Sequence, residues 1–128
     1  MITWNNLDKL TSYQELKKTE SVDLAAVMAG ENGAERVKNY SVPMAEGLAY
    51  NYAAKKVDDT VLSALEKLAE EAQLTEKFEA LYNGEVVNTG EKRLVLHHMT
   101  RGQLGDAVEA DGVDKRTFYV EQQKKIAE

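Results

Sequence analysis

The sequence predicts a mainly helical protein of the α+β class with one small antiparallel hairpin. The clearest observation is an apolar stripe at helical spacing across residues 58–72. A second is the stretch of residues 36–53, where Val and Tyr residues favour strands. The third is the length of 128 residues, which is enough for one domain with a buried core. We therefore expect residues 1–128 to form a single unit.

Helices are predicted at the start of the chain. Apolar residues recur at every third position within residues 5–20, at Leu7, Leu10, Tyr13 and Leu16. This spacing fits one helix or two short helices broken at Thr11-Ser12, and residues 22–28 suit another short helix. Gly30-Glu31-Asn32-Gly33 then predicts a turn, because Gly and Asn tolerate positive φ.

The hairpin is predicted within residues 36–53. Its strand-favouring side chains fall into two groups, Val37, Tyr40 and Val42, then Leu48, Tyr50 and Tyr52. Pro43 and Glu46-Gly47 lie between the groups, and Pro43 should occupy an edge or a turn because it has no backbone N–H. In an extended segment the second group would share one face of the hairpin.

Two helices joined by a tight corner are predicted next. Asp58 or Asp59 can cap the first, whose apolar stripe consists of Val61, Leu62, Leu65, Leu68, Ala69 and Ala72. Thr75 is expected to cap the second helix, and Gly84 to end it.

Residues 91–101 remain ambiguous, since an apolar run of this length suits a buried strand or a short helix. Thr89 as a cap and Gly102 as a stop favour the helix, and a loop is predicted at Gly105 and Asp111-Gly112. A last helix begins near Asp114 and meets no stop signal by residue 128. We expect the chain to be truncated within that helix.

Composition excludes several classes of function. The formal charge is −6 and the basic residues occur as scattered pairs, which argues against nucleic-acid binding. Without Cys, the chain has no thiolate zinc site and no cysteine nucleophile. It has neither a long apolar run nor a signal-peptide pattern, so we expect a cytoplasmic protein that does not enter membranes.

The adjacent pair His97-His98 is the first candidate for chemistry. Neighbouring side chains point in different directions on a helix or a strand, so the two rings cannot easily share one metal ion. A zinc site needs three or four ligands, and no third ligand lies at a useful spacing. We therefore expect a structural role for both histidines, with a ligand or proton-transfer role as the alternative.

Other polar and aromatic groups have simpler explanations. Carboxylates at Asp58, Asp59, Glu66, Glu70 and Glu71 fit the solvated face of a helix better than the paired acids of a hydrolase. The spacings of Gly30 to Gly33 and of Gly102 to Gly105 match no nucleotide-binding loop. The tyrosines Tyr40, Tyr50 and Tyr52 are expected to pack on the hairpin, the alternative being a stacking surface for a sugar or base.

Residues 78–101 carry a more specific pattern. Phe78, Tyr82-Asn83-Gly84-Glu85, Asn88, Glu91, Arg93, Val95-Leu96-His97 and Arg101 resemble, in register, a stretch of the glucose-6-phosphate isomerase family. Gly90 stands where that family usually has Thr, Leu94 and Met99 replace Ala, and Thr100 replaces Leu. These departures alter the expected cap and packing without changing the register.

A second stretch upstream is also similar to that family. Arg36, Tyr40 and Ser41 match one family pattern, and Tyr52, Val57 and Asp58 hold the register of another. Three positions depart from it, Asn51, Ala53 and Ala54, so polar contacts made there by family members are not expected here.

The resemblance covers about residues 36–128 and implies the N-terminal segment of a glucose-6-phosphate isomerase, truncated within a helix that leads into the first sugar-isomerase domain. This segment would cover α/β domains that are absent here. The implied activity is the cofactor-free interconversion of glucose 6-phosphate and fructose 6-phosphate by a cytosolic homodimer. The family's phosphate cradle and acid–base residues fall after residue 128. We therefore assign no catalytic, cofactor-binding or metal residue, and expect the chain alone to be inactive.

A stand-alone acidic helical interaction domain without catalysis is the alternative. The acidic total and the lack of a site motif favour it. The missing stop after the last helix favours a truncated enzyme instead, because a self-contained domain is expected to end its last helix with a Gly, Asn or Pro signal.

Overall fold

The computed structural model describes residues 1–102 and 105–128. The chain divides into two compact units, one of residues 6–71 and one of residues 72–128 together with residues 1–5. The described residues form a mainly helical fold with two small antiparallel hairpins, so the predicted class is confirmed and the second hairpin is an addition to it.

The unit of residues 6–71 begins with short helices. A 3-10 helix, Leu7–Lys9, is followed by α1, Thr11–Leu16, and α2, Leu24–Val27. Of the two alternatives for this region, the structure has two short helices, with the break at Leu10. The carboxylate of Glu71 caps α1 by accepting hydrogen bonds from the amides of Thr11 and Ser12, at 3.1 and 2.7 Å.

The turn predicted at Gly30–Gly33 is only partly right. The chain turns between α2 and α3 and Gly30 has φ +62, but α3 runs from Gly30 to Asn39 and includes the rest of that segment. Gly33 is buried inside this helix, and a Cβ atom built on it would lie 2.2 Å from the carbonyl oxygen of Met28. Glycine is therefore needed at position 33 for close backbone packing. Close packing and turns both select glycine, so the sequence alone does not distinguish them.

The predicted hairpin is present. Its strands are β1, Ser41–Pro43, and β2, Ala49–Asn51, which pair antiparallel with Val42 opposite Tyr50. Glu46 and Gly47, both with positive φ, connect them. The ring of Tyr52 lies 5.2 Å from that of Tyr40 and 6.2 Å from that of Tyr50, so the three tyrosines pack together.

Helix α4, Asp59–Glu71, confirms the clearest helix prediction. The Asp58 carboxylate caps it by accepting the amide hydrogen bond of Val61 at 2.8 Å. Helix α1 packs on one side of α4. None of the residues of α4 is buried, so its apolar stripe is only partly covered within the chain.

The polar centre of this unit is Arg36, a buried residue of α3. Its Nε donates to the carbonyl of Ala53 at 2.8 Å, and its Nη2 donates to the carbonyls of Lys55 and Val57 at 3.0 and 2.6 Å. The guanidinium also lies 4.1 Å from the centre of the Tyr40 ring. One side chain thus fixes the loop that leads into α4.

The second unit contains α5, Leu74–Tyr82, and α6, Lys115–Ala127. Thr75 does not cap α5, because the helix begins one residue earlier, after Gln73 in the left-handed conformation. Gly84 follows the helix with φ +72 as predicted, and a Cβ there would lie 2.2 Å from a methyl carbon of Val108. The side chain of Asp114 caps α6, which confirms the last predicted helix.

The helix favoured for residues 91–101 is wrong over most of that span. Asn88 and Arg93 form an isolated antiparallel bridge, and the side chain of Asn88 accepts the amide hydrogen bond of Glu91. This local side-chain bond stabilises a turn in place of the helix. Only His97–Arg101 is helical, as a 3-10 helix followed by Gly102.

The second hairpin was not predicted. Its strands are β3, Glu109–Ala110, and β4, Val113–Asp114, joined through Asp111 and Gly112 with φ +55 and +72. Asp-Gly is a strong hairpin turn signal, but the flanking strands are too short to show an alternating pattern. No helix in the described part of the chain has the length and apolar content needed to cross a bilayer.

We expect Arg36→Met to destabilise the unit of residues 6–71 by about 3 kcal/mol or more, because the loss leaves three carbonyls without their charged donor. This corresponds to a fall in Tm of roughly 6 °C or more for a chain of this size. Urea denaturation followed by circular dichroism measures the change. Arg93→Met, which alters an exposed arginine, is the matched control and should change stability by no more than about 0.5 kcal/mol. Equal stability of the two variants would contradict the role of Arg36.

Candidate functional site

The unit formed by residues 72–128 has a cavity of about 440 Å³ beside the 3-10 helix. Its described lining consists of Tyr82, His97, His98, Thr100, Arg101 and Gly102. The cavity therefore gathers the histidine pair and the last arginine of the sequence pattern described above.

The 3-10 helix is held in place at its middle and near its last residue. Met99 is fully buried and anchors the middle of the turn. The carbonyl of Thr100 accepts a hydrogen bond from the side chain of Gln123 on α6, at 2.8 Å. The hydroxyl of Thr100 donates back to the carbonyl of His97, also at 2.8 Å. This arrangement presents the neighbouring side chains to the cavity.

His98 packs against an aromatic ring, and within residues 1–102 and 105–128 its ring nitrogens meet no partner with hydrogen-bond geometry. Its ring centre lies 4.6 Å from that of Tyr82, with the two planes tilted by 34°. Both ring nitrogens are buried, and neither makes a hydrogen bond to a described residue. Burial lowers the pKa of His98, and the positive charge of Arg116 lowers it further. The nearby carbonyl of Tyr82 acts in the opposite direction, without hydrogen-bond geometry to either nitrogen.

Arg116 is the second buried arginine of the chain. Its Nε donates to the carbonyl of Asp106, and its Nη2 donates to the carbonyl of Tyr82 at 2.6 Å. Its Nη1 is buried without a partner among the described residues. A Cβ on Gly105 would lie 2.9 Å from Nη2, so glycine makes room for the guanidinium.

The electrostatics of this cavity differ from those of the whole chain. The chain carries a formal charge of −6, yet none of the described lining residues bears a carboxylate. Arg101 is cationic, two histidines lie beside it, and Arg116 interacts electrostatically with His98. Such a set of groups suits an anion and disfavours a cation.

The histidines occupy two different environments. His97 is exposed, whereas His98 is half-buried against Tyr82. Among the described residues, no group of three or more His, Cys, Asp or Glu side chains could hold a metal ion. The structural role expected for both histidines stays a prediction.

The carboxylates considered earlier are not brought together in a cleft. Asp58 and Glu71 cap helices, and Asp59 accepts the hydrogen bond of the Tyr40 hydroxyl at 2.9 Å. Glu66 and Glu70 are exposed on α4. These groups support the fold of the unit of residues 6–71.

Grooves also occur on the unit of residues 6–71. A groove of about 530 Å³ between α1 and α4 is lined by five Ser and Thr residues and Ala64, together with Glu15, Lys67 and Glu71. A shallower apolar groove of about 380 Å³ lies along the hairpin, against Tyr50 and Tyr52. Neither contains a set of groups arranged for acid–base or nucleophilic chemistry.

Sequence reasoning missed the buried state of Arg116. Lys115-Arg116 has the composition of an ordinary surface pair, and local sequence carries no sign that the second residue is buried. The contacts that bury it come from Tyr82 and Asp106, which are distant in sequence. Arg36, by contrast, falls in one of the family patterns recognised in the sequence.

Comparison with known proteins establishes the family. The model of the family described as phosphoglucose isomerase matches residues 51–128. The chain belongs to the phosphoglucose isomerase family. The match includes α4, α5, the 3-10 helix and α6, and therefore all the described residues that line the cavity.

Individual relatives of this family agree over almost the whole chain. A glucose-6-phosphate isomerase of Treponema denticola is 52% identical over 98% of this chain and 25% of its own length. One from Treponema pallidum is 39% identical over 98% of this chain and 24% of its own length. One from Shewanella woodyi is 41% identical over 77% of this chain and 18% of its own length.

The chain therefore spans about a quarter of the length of the curated relatives it matches most fully. The similarity includes the N-terminal region, where the sequence patterns alone were faint. Nothing in these comparisons supports the alternative of a stand-alone interaction domain.

We expect His98→Phe to weaken the loss of stability at mildly acidic pH. The pKa of His98 in the folded chain lies below its ordinary value of 6.5, so the unfolded chain binds the proton first as the pH falls. The stability that the neutral His98 ring contributes to the folded chain is fully present when the pH is above that ordinary pKa. This stability is lost as the pH falls through the pKa of His98 in the folded chain. The variant keeps a ring against Tyr82 and removes the titrating group. Its Tm should therefore fall less than that of the wild type between about pH 7.5 and about pH 5.

Thermal melts at the two pH values measure this difference. The pKa values of Glu71 and Asp114 are also lowered, chiefly by hydrogen bonds from Ser12 and Thr117, but both groups are present in each protein and cancel in the comparison. His97→Gln is the matched control and should keep the fall seen in the wild type. An equally steep fall in His98→Phe would contradict the assignment to His98.

Proposed function

We propose that this chain is the N-terminal part of a glucose-6-phosphate isomerase, and that the full-length protein interconverts glucose 6-phosphate and fructose 6-phosphate. The observation that carries the proposal is the 52% identity to the Treponema denticola isomerase over 98% of the chain. The sequence pattern around His97 and Arg101 falls within the region of that similarity and agrees with it.

Within such an enzyme the chain would form a helical layer over the sugar-isomerase domains. The unburied apolar stripe of α4 supports this arrangement for the unit of residues 6–71. In the other unit, Phe78, Phe118 and Ile126 are exposed by 59%, 43% and 84%. Covering a large apolar side chain is worth about 1.5 to 3 kcal/mol. A few such side chains therefore represent a stabilisation comparable to that of a whole domain, which favours a larger partner surface.

The reaction itself would be carried out by residues outside this chain. The family resemblance implies a phosphate cradle and acid–base groups after residue 128, and a proton transfer through an enediol without a metal or organic cofactor. The cytoplasmic location and the homodimeric assembly belong to the same proposal. Among the described residues, we assign no side chain to the chemical step.

A chimera tests this proposal. In the Treponema denticola isomerase, the segment aligned with this chain is replaced by residues 1–128, and turnover of fructose 6-phosphate is followed in a coupled assay. We expect the chimera to retain kcat/KM within about tenfold of the parent, because most packing positions should be shared at 52% identity. The isolated 128-residue chain should show no turnover above the blank.

The control is the parent enzyme from which the aligned segment has been deleted, which should be inactive or fail to fold. A chimera that is soluble and cooperatively folded but inactive would contradict the proposal. Turnover by the isolated chain would contradict the placement of the catalytic groups outside it.

A further inference from the structure

The hairpin of β1 and β2 has one apolar face. Alternate residues of a strand share a face, and the amide of Met44 continues the ladder past the strands by donating to the carbonyl of Leu48 at 2.7 Å. In the register of the two strands, the apolar set consists of Val42, Met44, Leu48, Tyr50 and Tyr52, which together are called the hairpin face below. The opposite face carries Ser41, Pro43, Ala49 and Asn51.

Most of the hairpin face is exposed in the described chain. The side chains of Val42, Met44, Leu48 and Tyr50 are exposed by 45%, 57%, 66% and 48%. A hairpin of two strands is marginally stable in water unless its apolar face packs against something. The contact of Tyr52 with Tyr40 supports the end of the hairpin nearest α3 and leaves the rest of the face in solvent.

A groove of about 380 Å³ joins the hairpin face to a helix. Its described lining consists of Val42, Tyr50, Tyr52, Lys55, Val57 and Leu62. Leu62 belongs to the apolar stripe of α4, and no residue of α4 is buried. The uncovered apolar surface is therefore continuous across two elements of one unit, and contiguous patches of this kind mark interaction sites.

The length of the relatives indicates what covers this surface. The isomerases of Treponema denticola and Treponema pallidum match 98% of this chain with only 25% and 24% of their own length. A full-length protein of that kind contains about three-quarters more polypeptide, joined covalently to these residues. A surface on the same polypeptide meets the hairpin at an effective concentration in the millimolar range, which a separate partner rarely reaches.

We propose that the hairpin face and its groove are a docking surface for the polypeptide that the full-length protein contains beyond residues 1–128. The inference rests on the proposed function, because it requires that longer polypeptide. It deepens the proposed function by assigning the contact to a sheet face in addition to the helices. Apolar burial would supply the stabilisation, since the groove lining contains a single charged residue, Lys55.

Methionine oxidation tests the proposal in the chimera described above. Met44 lies on the hairpin face, and Met28, exposed by 36% at the end of α2, is the matched control. Dilute hydrogen peroxide converts exposed methionine to the sulfoxide, and peptide mass spectrometry gives the rate at each position. We expect Met44 to oxidise about tenfold more slowly in the chimera than in the isolated chain, and Met28 to oxidise equally fast in both. An unchanged rate at Met44, or an equal fall at both methionines, would overturn the proposal.

A substitution gives a second readout. Leu48→Lys should leave the Tm of the isolated chain unchanged, because the side chain is already in solvent, and should lower the Tm of the chimera by about 2 °C or more. Leu7→Lys makes the same change at a side chain exposed by 51% outside the hairpin, and should alter neither Tm. A Leu48→Lys chimera that fails to fold counts as the same loss, since the oxidation rates are measured without the substitution. Equal Tm values for the Leu48→Lys chimera and the unaltered chimera would contradict the proposal.

A photo-reactive benzoylphenylalanine in place of Leu48 identifies the occupant. Equal amounts of ¹⁴N-labelled and ¹⁵N-labelled chimera are refolded together, irradiated and digested. Cross-links from position 48 to the rest of the same isotopic polypeptide, outside residues 1–128, support the proposal. Cross-links between the two isotopes would place a second copy on the hairpin face, and cross-links confined to residues 1–128 would leave the face without the proposed occupant. Either result would overturn the proposal.

Turnover of fructose 6-phosphate enters none of these readouts. A folded but inactive chimera in which Met44 is protected would contradict the proposed function and support the docking surface. An active chimera in which Met44 oxidises as fast as in the isolated chain would support the proposed function and overturn the docking surface.

Discussion

A guanidinium held by backbone carbonyls organises each unit of this chain. Arg36 binds the carbonyls of Ala53, Lys55 and Val57, and so fixes the loop before α4. Arg116 binds the carbonyls of Asp106 and Tyr82, and so ties α6 to the end of α5. Neither arginine forms an ion pair within the described residues, so backbone carbonyls, and for Arg36 also the face of the Tyr40 ring, compensate the buried charge. Only arginine combines the rigid fork and the permanent charge that this requires, and lysine would reach fewer acceptors.

The placement of the candidate site follows from Arg116. Arg116 donates a hydrogen bond to the carbonyl of Tyr82 and so fixes the end of α5. The ring of Tyr82 in turn packs against His98. Burial lowers the pKa of His98, and the charge of Arg116 lowers it further. The described lining of the cavity beside His98 contains Arg101 and no carboxylate. Arg36 differs from Arg116, because its guanidinium is occupied by the carbonyls of the loop and by the face of the Tyr40 ring.

Local sequence patterns predicted the structure correctly where the signals lie within a single helix or hairpin. Helix α4 with its Asp58 cap, the start of α6 near Asp114 and the hairpin of β1 and β2 were all predicted, because capping, turn and strand signals are local properties of the sequence. Local patterns failed where contacts between residues far apart in the sequence determine the structure. Gly33 serves close packing inside a helix, although its type signals a turn. The surroundings of His98 depend on Tyr82 and Arg116, and no local sequence pattern connects these residues to it. The family was nevertheless recognisable, because family members share the residues that make such contacts.

The arginine–carbonyl interaction can be measured directly in the wild-type chain. The sequence contains four arginines, of which Arg36 and Arg116 are buried and Arg93 and Arg101 are exposed. NMR of ¹⁵N-labelled arginine follows the exchange of each Nε proton with solvent. We predict that the two buried Nε protons are protected and shifted, because both are bonded to carbonyls, while the two exposed ones exchange as in a free peptide in phosphate-free buffer. Four Nε protons that exchange alike would contradict the account.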